Sequence, residues 1–203
     1  MKKSKLDEQD IEKIRLWEDY KTKFIQINGR NDIPFIQPII EDNRRNKKIK
    51  KEIIYEDEKV IIIYPSHKYA IFHLLVFPKK RLFNAITLQP KDLDIIEYMY
   101  KIGRIIALIF FILPPNMVRL PLTQPKIKEI LKSQERFQNS NKKMLDKIFN
   151  NLKGYFHIYP RNTVNWLHLH IMFKHPGDKD PNNYPIEKII NFLKENKNIL
   201  KIL

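Results

Sequence analysis

The spacing of apolar residues along the chain switches between the helical and the strand period, and the switches mark out its elements. Residues 7 to 26 place Ile11, Ile14, Trp17 and Phe24 near one face, which predicts an amphipathic helix. The stretch "NGRND" ends it, and Pro34 and Pro38 keep the following segment extended. β-Branched runs at 53 to 55 and 60 to 64, then "IFHLLVF" at 71 to 77 closed by Pro78, predict three strands. A helix is expected from Pro90, with Asp92 and Asp94 in its first turn. Its apolar positions Leu93, Ile96, Met99, Ile102, Ile106 and Phe110 follow the helical period.

Prolines at 114, 115, 121 and 125 leave no regular element between Leu113 and Pro125. A polar helical stretch follows at about 126 to 150, then strands at 154 to 159 and 164 to 173. The glycine- and proline-containing "HPGDKDPNNYP" reads as a loop leading to an amphipathic helix at 185 to 201. No internal repeat is visible. The pattern divides the chain into a helical and basic extension at 1–52, a domain at 53–183 interrupted at about 114–153, and a C-terminal helix at 184–203.

Composition narrows the function. A chain of 203 residues with 43% hydrophobic residues is long enough to bury a core. The absence of cysteine excludes disulfides, thiolate metal sites and a thiol nucleophile. The N-terminal "MKKSKLDEQD" has no signal-like apolar core, and the longest apolar run, Ile105 to Leu113, is shorter than the ~20 residues of a spanning helix. The expected location is intracellular, cytoplasmic or nuclear, with no membrane partner. The net charge of +15 is spread widely, as lysine-rich codon usage alone would spread it. One run is denser: Asn43 to Lys51 holds six basic residues in nine, either a solvated linker or a contact for RNA or DNA phosphates.

The chemistry concentrates in "VNWLHLHIMFK", residues 164 to 174. On a strand, Trp166, His168, His170 and Met172 share one face and Leu167, Leu169 and Ile171 the other. The leucine face would supply the core, leaving the imidazoles on a surface or cleft. His73 brings a third imidazole from another apolar strand. Three readings stay open on these residues alone. The histidines can be hydrogen-bonded structural groups. They can chelate a transition metal, with His73, His157, His175 or Asp178 as candidate third ligands. Or one imidazole can attack phosphorus while others bind phosphate.

The flanking residues carry a resemblance. "YEDEKVIIIYPSHKYAIFHLLVFPKKRL" at 55 to 82 resembles the front half of a histidine triad domain, and "YFHIYPRNTVNWLHLHIMF" at 155 to 173 its phosphate-binding turn and closing His-x-His-x-His strand. The likeness covers about 53 to 113 and 154 to 173, and is nearest to the branch of aprataxin, the scavenger mRNA decapping enzymes and divergent Hint-type proteins. It implies an α+β fold, an antiparallel sheet of about five strands with a long helix across it, decorated by N- and C-terminal helices.

It also implies roles by position. His168 falls on the family's covalent nucleophile, and His170 on the last triad histidine, a phosphate contact. His73 falls on the histidine of the earlier strand, and Thr163 with Asn162 on the phosphate-binding turn. His157 joins the nucleotide- and phosphate-binding candidates. Trp166 stands where the family has its first triad histidine; its indole donates one N–H and accepts nothing. It is a candidate wall of the site or base-stacking platform. A second departure is Pro65, which in ungapped register replaces the acidic residue many members use for the ribose. The implied activity is that of a nucleotide hydrolase or nucleotidyl transferase acting without metal or cofactor. The alternative is a binding module that has lost catalysis. The implied partner is a nucleotide or nucleotide conjugate, and pairing into a homodimer is expected.

Overall fold

In the computed structural model the described residues are 53–65, 70–80, 82, 85–113, 118, 120–157, 166–173 and 183–196. The expected helix at 7 to 26 and the basic run at 43 to 51 lie outside them. Among the described residues six antiparallel strands form one sheet: β1 (Ile53–Glu56), β2 (Val60–Ile63), β3 (Phe72–Pro78), β4 (Leu152–His157), β5 (Leu169–Phe173) and β6 (Asn183–Pro185), in the order β1-β2-β3-β5-β4-β6. β5, the last histidine-bearing strand, therefore lies between β3 and β4, which carry His73 and His157.

The class is α+β as expected, with one strand more than the pattern predicted. β6 falls inside the stretch read as a loop. At three residues, with prolines at 181 and 185, it is too short to show alternation; pairing with the edge of β4 creates it. β5 begins at Leu169 rather than at 164, and β4 spans 152 to 157 rather than 154 to 159.

The long helix α1 (Leu93–Ile112) crosses the sheet. A 3-10 turn at Pro90–Asp92 leads into it. The buried Asp92 carboxylate accepts from the backbone N–H of Gln89 at 3.1 Å and from Lys80 Nζ at 2.5 Å. A negative charge here complements the helix N-terminus. Ile96, Met99, Ile102 and Ile106 bury against Val60, Ile62, Leu74, Val76, Leu169 and Ile171 of the sheet. Gly103 lets the helix lie close: a Cβ there would meet Ile171 Cγ1 at 2.8 Å and Val76 Cγ2 at 2.9 Å.

The polar stretch expected as one helix is three: α2 (Gln124–Ser133), α3 (Glu135–Ser140) and α4 (Lys142–Asn151). The breaks fall at Gln134 and Asn141. The strip enters along the β1 edge, where Leu122 N–H donates to Ile54 O at 2.7 Å, and leaves by running from α4 straight into β4. Leu122 and Ile127 belong to the main core, so the strip contributes to it. α5 (Ile186–Lys194) closes the described chain and buries Ile186, Ile189 and Leu193 in the same core. Among the described residues no helix is long and apolar enough to cross a membrane.

Candidate active site

The sheet has two unlike faces. Alternation sends Leu74 and Val76 of β3, Phe156 of β4, and Leu169 and Ile171 of β5, with Leu167 ahead of β5, toward α1 and the main core. The same alternation sends His73, His157, His168 and His170 to the opposite face. The sequence pattern gave that side to a surface or cleft, and the structure corrects this. His73 is 1% exposed, His170 4% and His168 7%; His157 is half-buried.

Trp166 and His168 precede the β5 ladder yet keep its alternation, because two contacts hold the segment against the end of β3. Leu167 N–H donates to Leu82 O at 2.8 Å, and the Trp166 indole N–H donates to Pro78 O at 3.0 Å. Trp166 is 4% exposed and packs with Ile53, Ile61, Ile63 and Phe77 in a second apolar cluster. Its ring packs against Phe77, the residue that stacks on His168.

The four imidazoles form a connected group. His73 Nε2 and His170 Nδ1 are 3.0 Å apart with one proton between them, their rings stacked at 5.0 Å. His157 lies 4.1 Å from His170 between ring centroids, and His168 lies 4.9 Å from His170. Phe77 stacks on His168 at 5.2 Å. Nδ1 of His168 is 2.8 Å from the main-chain oxygen of Trp166. A carbonyl only accepts, so Nδ1 carries the proton and the neutral ring's lone pair is on Nε2. Burial lowers the His168 pKa to about 4; the Trp166 carbonyl opposes that shift and nearby His157 adds to it. The ring is therefore neutral at ordinary pH.

His157 Nε2 is 3.1 Å from Asn183 Oδ1, a contact brought about by the β4–β6 register that sets His157 opposite Asn183. Neither Asn183 nor Phe77 was anticipated. Phe77 lay in an evident strand, but nothing in the pattern put it over His168; Asn183 had no signal, since its strand had none. Asn162, Thr163, His175 and Asp178 lie outside the described residues. The ligand-capable nitrogens of His157, His168 and His170 lie within 4.8 Å of one another, so these three side chains could hold a metal. A surface cavity of about 310 Å³ lined by Glu58, Lys59, Lys80, Lys91, Asp94 and Ile95 includes none of the histidines; its mixed charges define no ligand.

A helix-backed antiparallel sheet with imidazoles from three strand segments gathered on its other face has histidine triad architecture. Residues 39–120 match the family model described as "Scavenger mRNA decapping enzyme C-term binding". That match makes residues 39–120 similar to the decapping-enzyme branch of the histidine triad superfamily. Similar solved structures include an aprataxin ortholog, Hnt3, from Schizosaccharomyces pombe: 20% identity, 81% of this chain and 74% of that chain covered, TM-score 0.40. Another is a hypothetical histidine triad nucleotide-binding protein from Sulfolobus tokodaii strain7, at 18% identity, 84% and 93% coverage and TM-score 0.40. A third is Hnt3 in complex with DNA and guanosine, at 20% identity, 75% and 72% coverage and TM-score 0.38.

Proposed function

We propose that the chain is a nucleotide hydrolase or nucleotidyl transferase that works through a nucleotidyl-histidine at His168. The observation that carries this reading is the 2.8 Å contact between His168 Nδ1 and the Trp166 carbonyl. It leaves the Nε2 lone pair for attack on an α-phosphorus. A P–N bond forms as the bond from phosphorus to the leaving group breaks, and the leaving atom takes the electron pair and a proton from solvent. The substituted imidazole is then a cation whose Nδ1–H still donates to the carbonyl, a charge-assisted bond that stabilises the intermediate. Water next attacks phosphorus, the P–N bond breaks, and neutral His168 returns with a nucleotide as product.

In this reading His170, shared with His73, contacts phosphate oxygens and offsets their developing charge, as do His157, Thr163 and Asn162. Replacing the first triad histidine by Trp166 removes an imidazole, but it leaves the main-chain oxygen that orients the nucleophile. This is why we favour a working enzyme over a binding module. The partner is a nucleotide or nucleotide conjugate inside the cell, with Asn43–Lys51 as the proposed contact for RNA or DNA phosphates and a homodimer as the proposed assembly.

The test is to incubate the protein with α-phosphorus-labelled conjugates, namely dinucleoside polyphosphates, capped dinucleotides, adenylated DNA ends and nucleoside phosphoramidates. An acid-labile protein adduct is then trapped. Wild type is expected to retain label from at least one, and His168→Asn from none. Label retained by His168→Asn would overturn the mechanism.

A further inference from the structure

We propose that His157, His168 and His170 form a three-imidazole site for a divalent transition-metal ion of the zinc class, and that the bound ion silences the nucleophile. The three rings come from β4, the segment ahead of β5, and β5 itself, and their ligand-capable nitrogens lie within 4.8 Å of one another. Ring-centroid separations are 4.1, 4.9 and 6.2 Å. Imidazoles around one tetrahedral ion, with metal–nitrogen bonds of about 2.0–2.1 Å, have centroids roughly 5 Å apart. Small ring movements therefore bring all three to one ion.

The contacts behind the rings carry the inference further. A ligating histidine almost always has its second ring nitrogen bonded to a carbonyl, a carboxylate or a comparable partner, which fixes its tautomer and orientation. All three rings have such a contact. His168 Nδ1 meets the Trp166 carbonyl at 2.8 Å, His157 Nε2 meets Asn183 Oδ1 at 3.1 Å, and His170 Nδ1 meets His73 Nε2 at 3.0 Å. An all-imidazole set suits zinc, copper or nickel and discriminates against magnesium and calcium, which prefer oxygen. Three protein ligands leave a fourth position open, as in metal sites of the catalytic kind.

The consequence is exclusion. The Nε2 lone pair of His168 cannot ligate an ion and attack phosphorus at once, so metal binding and nucleotidylation compete. The inhibitory half of this proposal rests on the function proposed above; the binding half does not.

The experiment is calorimetric titration of chelator-stripped full-length protein with zinc chloride, alongside the visible spectrum with cobalt(II). Wild type is expected to take one tight equivalent and to give the intense d–d bands of a tetrahedral cobalt site. His157→Gln and His170→Gln should lose that equivalent. Asn183→Ala, which leaves all three ligands in place, should weaken it by roughly 10–100-fold. Circular dichroism reports whether each variant is folded. Should a glutamine variant fail to fold, the Asn183→Ala titration and the wild-type cobalt spectrum decide. No tight equivalent in wild type, an octahedral cobalt spectrum, or wild-type affinity in folded variants would each overturn the site. With a substrate that labels His168, one equivalent of zinc should abolish the label and chelator restore it. Labelling that persists in the zinc-bound protein would overturn the inhibition alone. Zinc bound by wild type and lost by the variants, with no conjugate ever labelling the protein, would sink the proposed activity and leave the metal site standing.

Discussion

His168 donates its Nδ1–H to the carbonyl of Trp166, two residues upstream, over 2.8 Å. The main chain of one residue thus sets the tautomer of the other, whatever side chain that residue carries. The Trp166 indole has a separate task, filling the space among Ile53, Ile61, Ile63 and Phe77 and donating to Pro78 O.

Trp166→Ala should therefore act first on stability. Deleting a buried tryptophan costs about 3–5 kcal/mol, and Trp166→Phe, which keeps most of the volume and loses the N–H, should cost clearly less. Urea unfolding of the three proteins measures both. An alanine variant as stable as wild type would mean that the ring is not packed as described.

Adduct formation in metal-free buffer should keep an unusually low acid limb. Burial lowers the His168 pKa from its ordinary 6.5 to about 4, so the nucleophile stays neutral as pH falls through 6 and 5. The same shift makes the unfolded chain bind more protons than the folded one between those values. This contribution to stability is full above about 6.5 and falls as the pH drops toward 4. Single-turnover labelling across that range is the measurement, and a limb centred near 6.5 would contradict the burial.

Gly103→Ala should destabilise the protein by roughly 1–3 kcal/mol, although alanine is the better helix former. Its methyl group would lie under 3 Å from Ile171 and Val76, core-side residues of the strands that carry His170 and His73. A thermal melt decides the sign: a variant that melts at or above the wild-type temperature would show that the helix can lift without cost.

Asp57 should govern part of the acid stability. Burial alone would raise its pKa, but hydrogen bonds from Tyr55 and Tyr98 and from the backbone N–H groups of Val60 and Lys59 hold it below the usual carboxylate value. A lowered folded-state pKa stabilises above the unfolded value of about 3.9, and that gain is lost as pH falls through the folded one. Asp57→Asn should flatten the acid side of the stability–pH curve measured by urea midpoints. A variant curve parallel to wild type would refute this.

What could be read from the sequence divides along physical lines. The strands at 53, 60 and 72 and the long helix were legible because one face of each meets a single core, and a repeating environment leaves a repeating pattern. That His168 and His170 share a side was legible from alternation along their strand, whereas His73 joined them only through the family resemblance. Their burial was not. The far face of the sheet carries its own cluster around Trp166 and Phe77, and both faces of an enclosed sheet read as apolar. β6 and Asn183 escaped because three residues hold no period, and their position comes from pairing with β4. The breaks at Gln134 and Asn141 escaped because both residues are compatible with a helix, so tertiary packing selected them.

The strip from Leu122 to Leu152 begins on β1 and ends in β4, and three strands of the sheet lie between those two. It acts as a splint laid across the grain of the sheet. Its two seams, at Gln134 and Asn141, are where a protease would find it thinnest, yet a cut there frees neither end. The front piece stays hydrogen-bonded at Ile54. The rear piece is continuous with the strand of His157 and is held by Arg104, whose guanidinium donates to Phe149 O at 2.7 Å and lies 3.5 Å from the Phe149 ring centroid. A nicked protein should therefore migrate as one body until denatured. Excising the strip would be a different injury, since it would cast off the N-terminal end of a histidine-bearing strand.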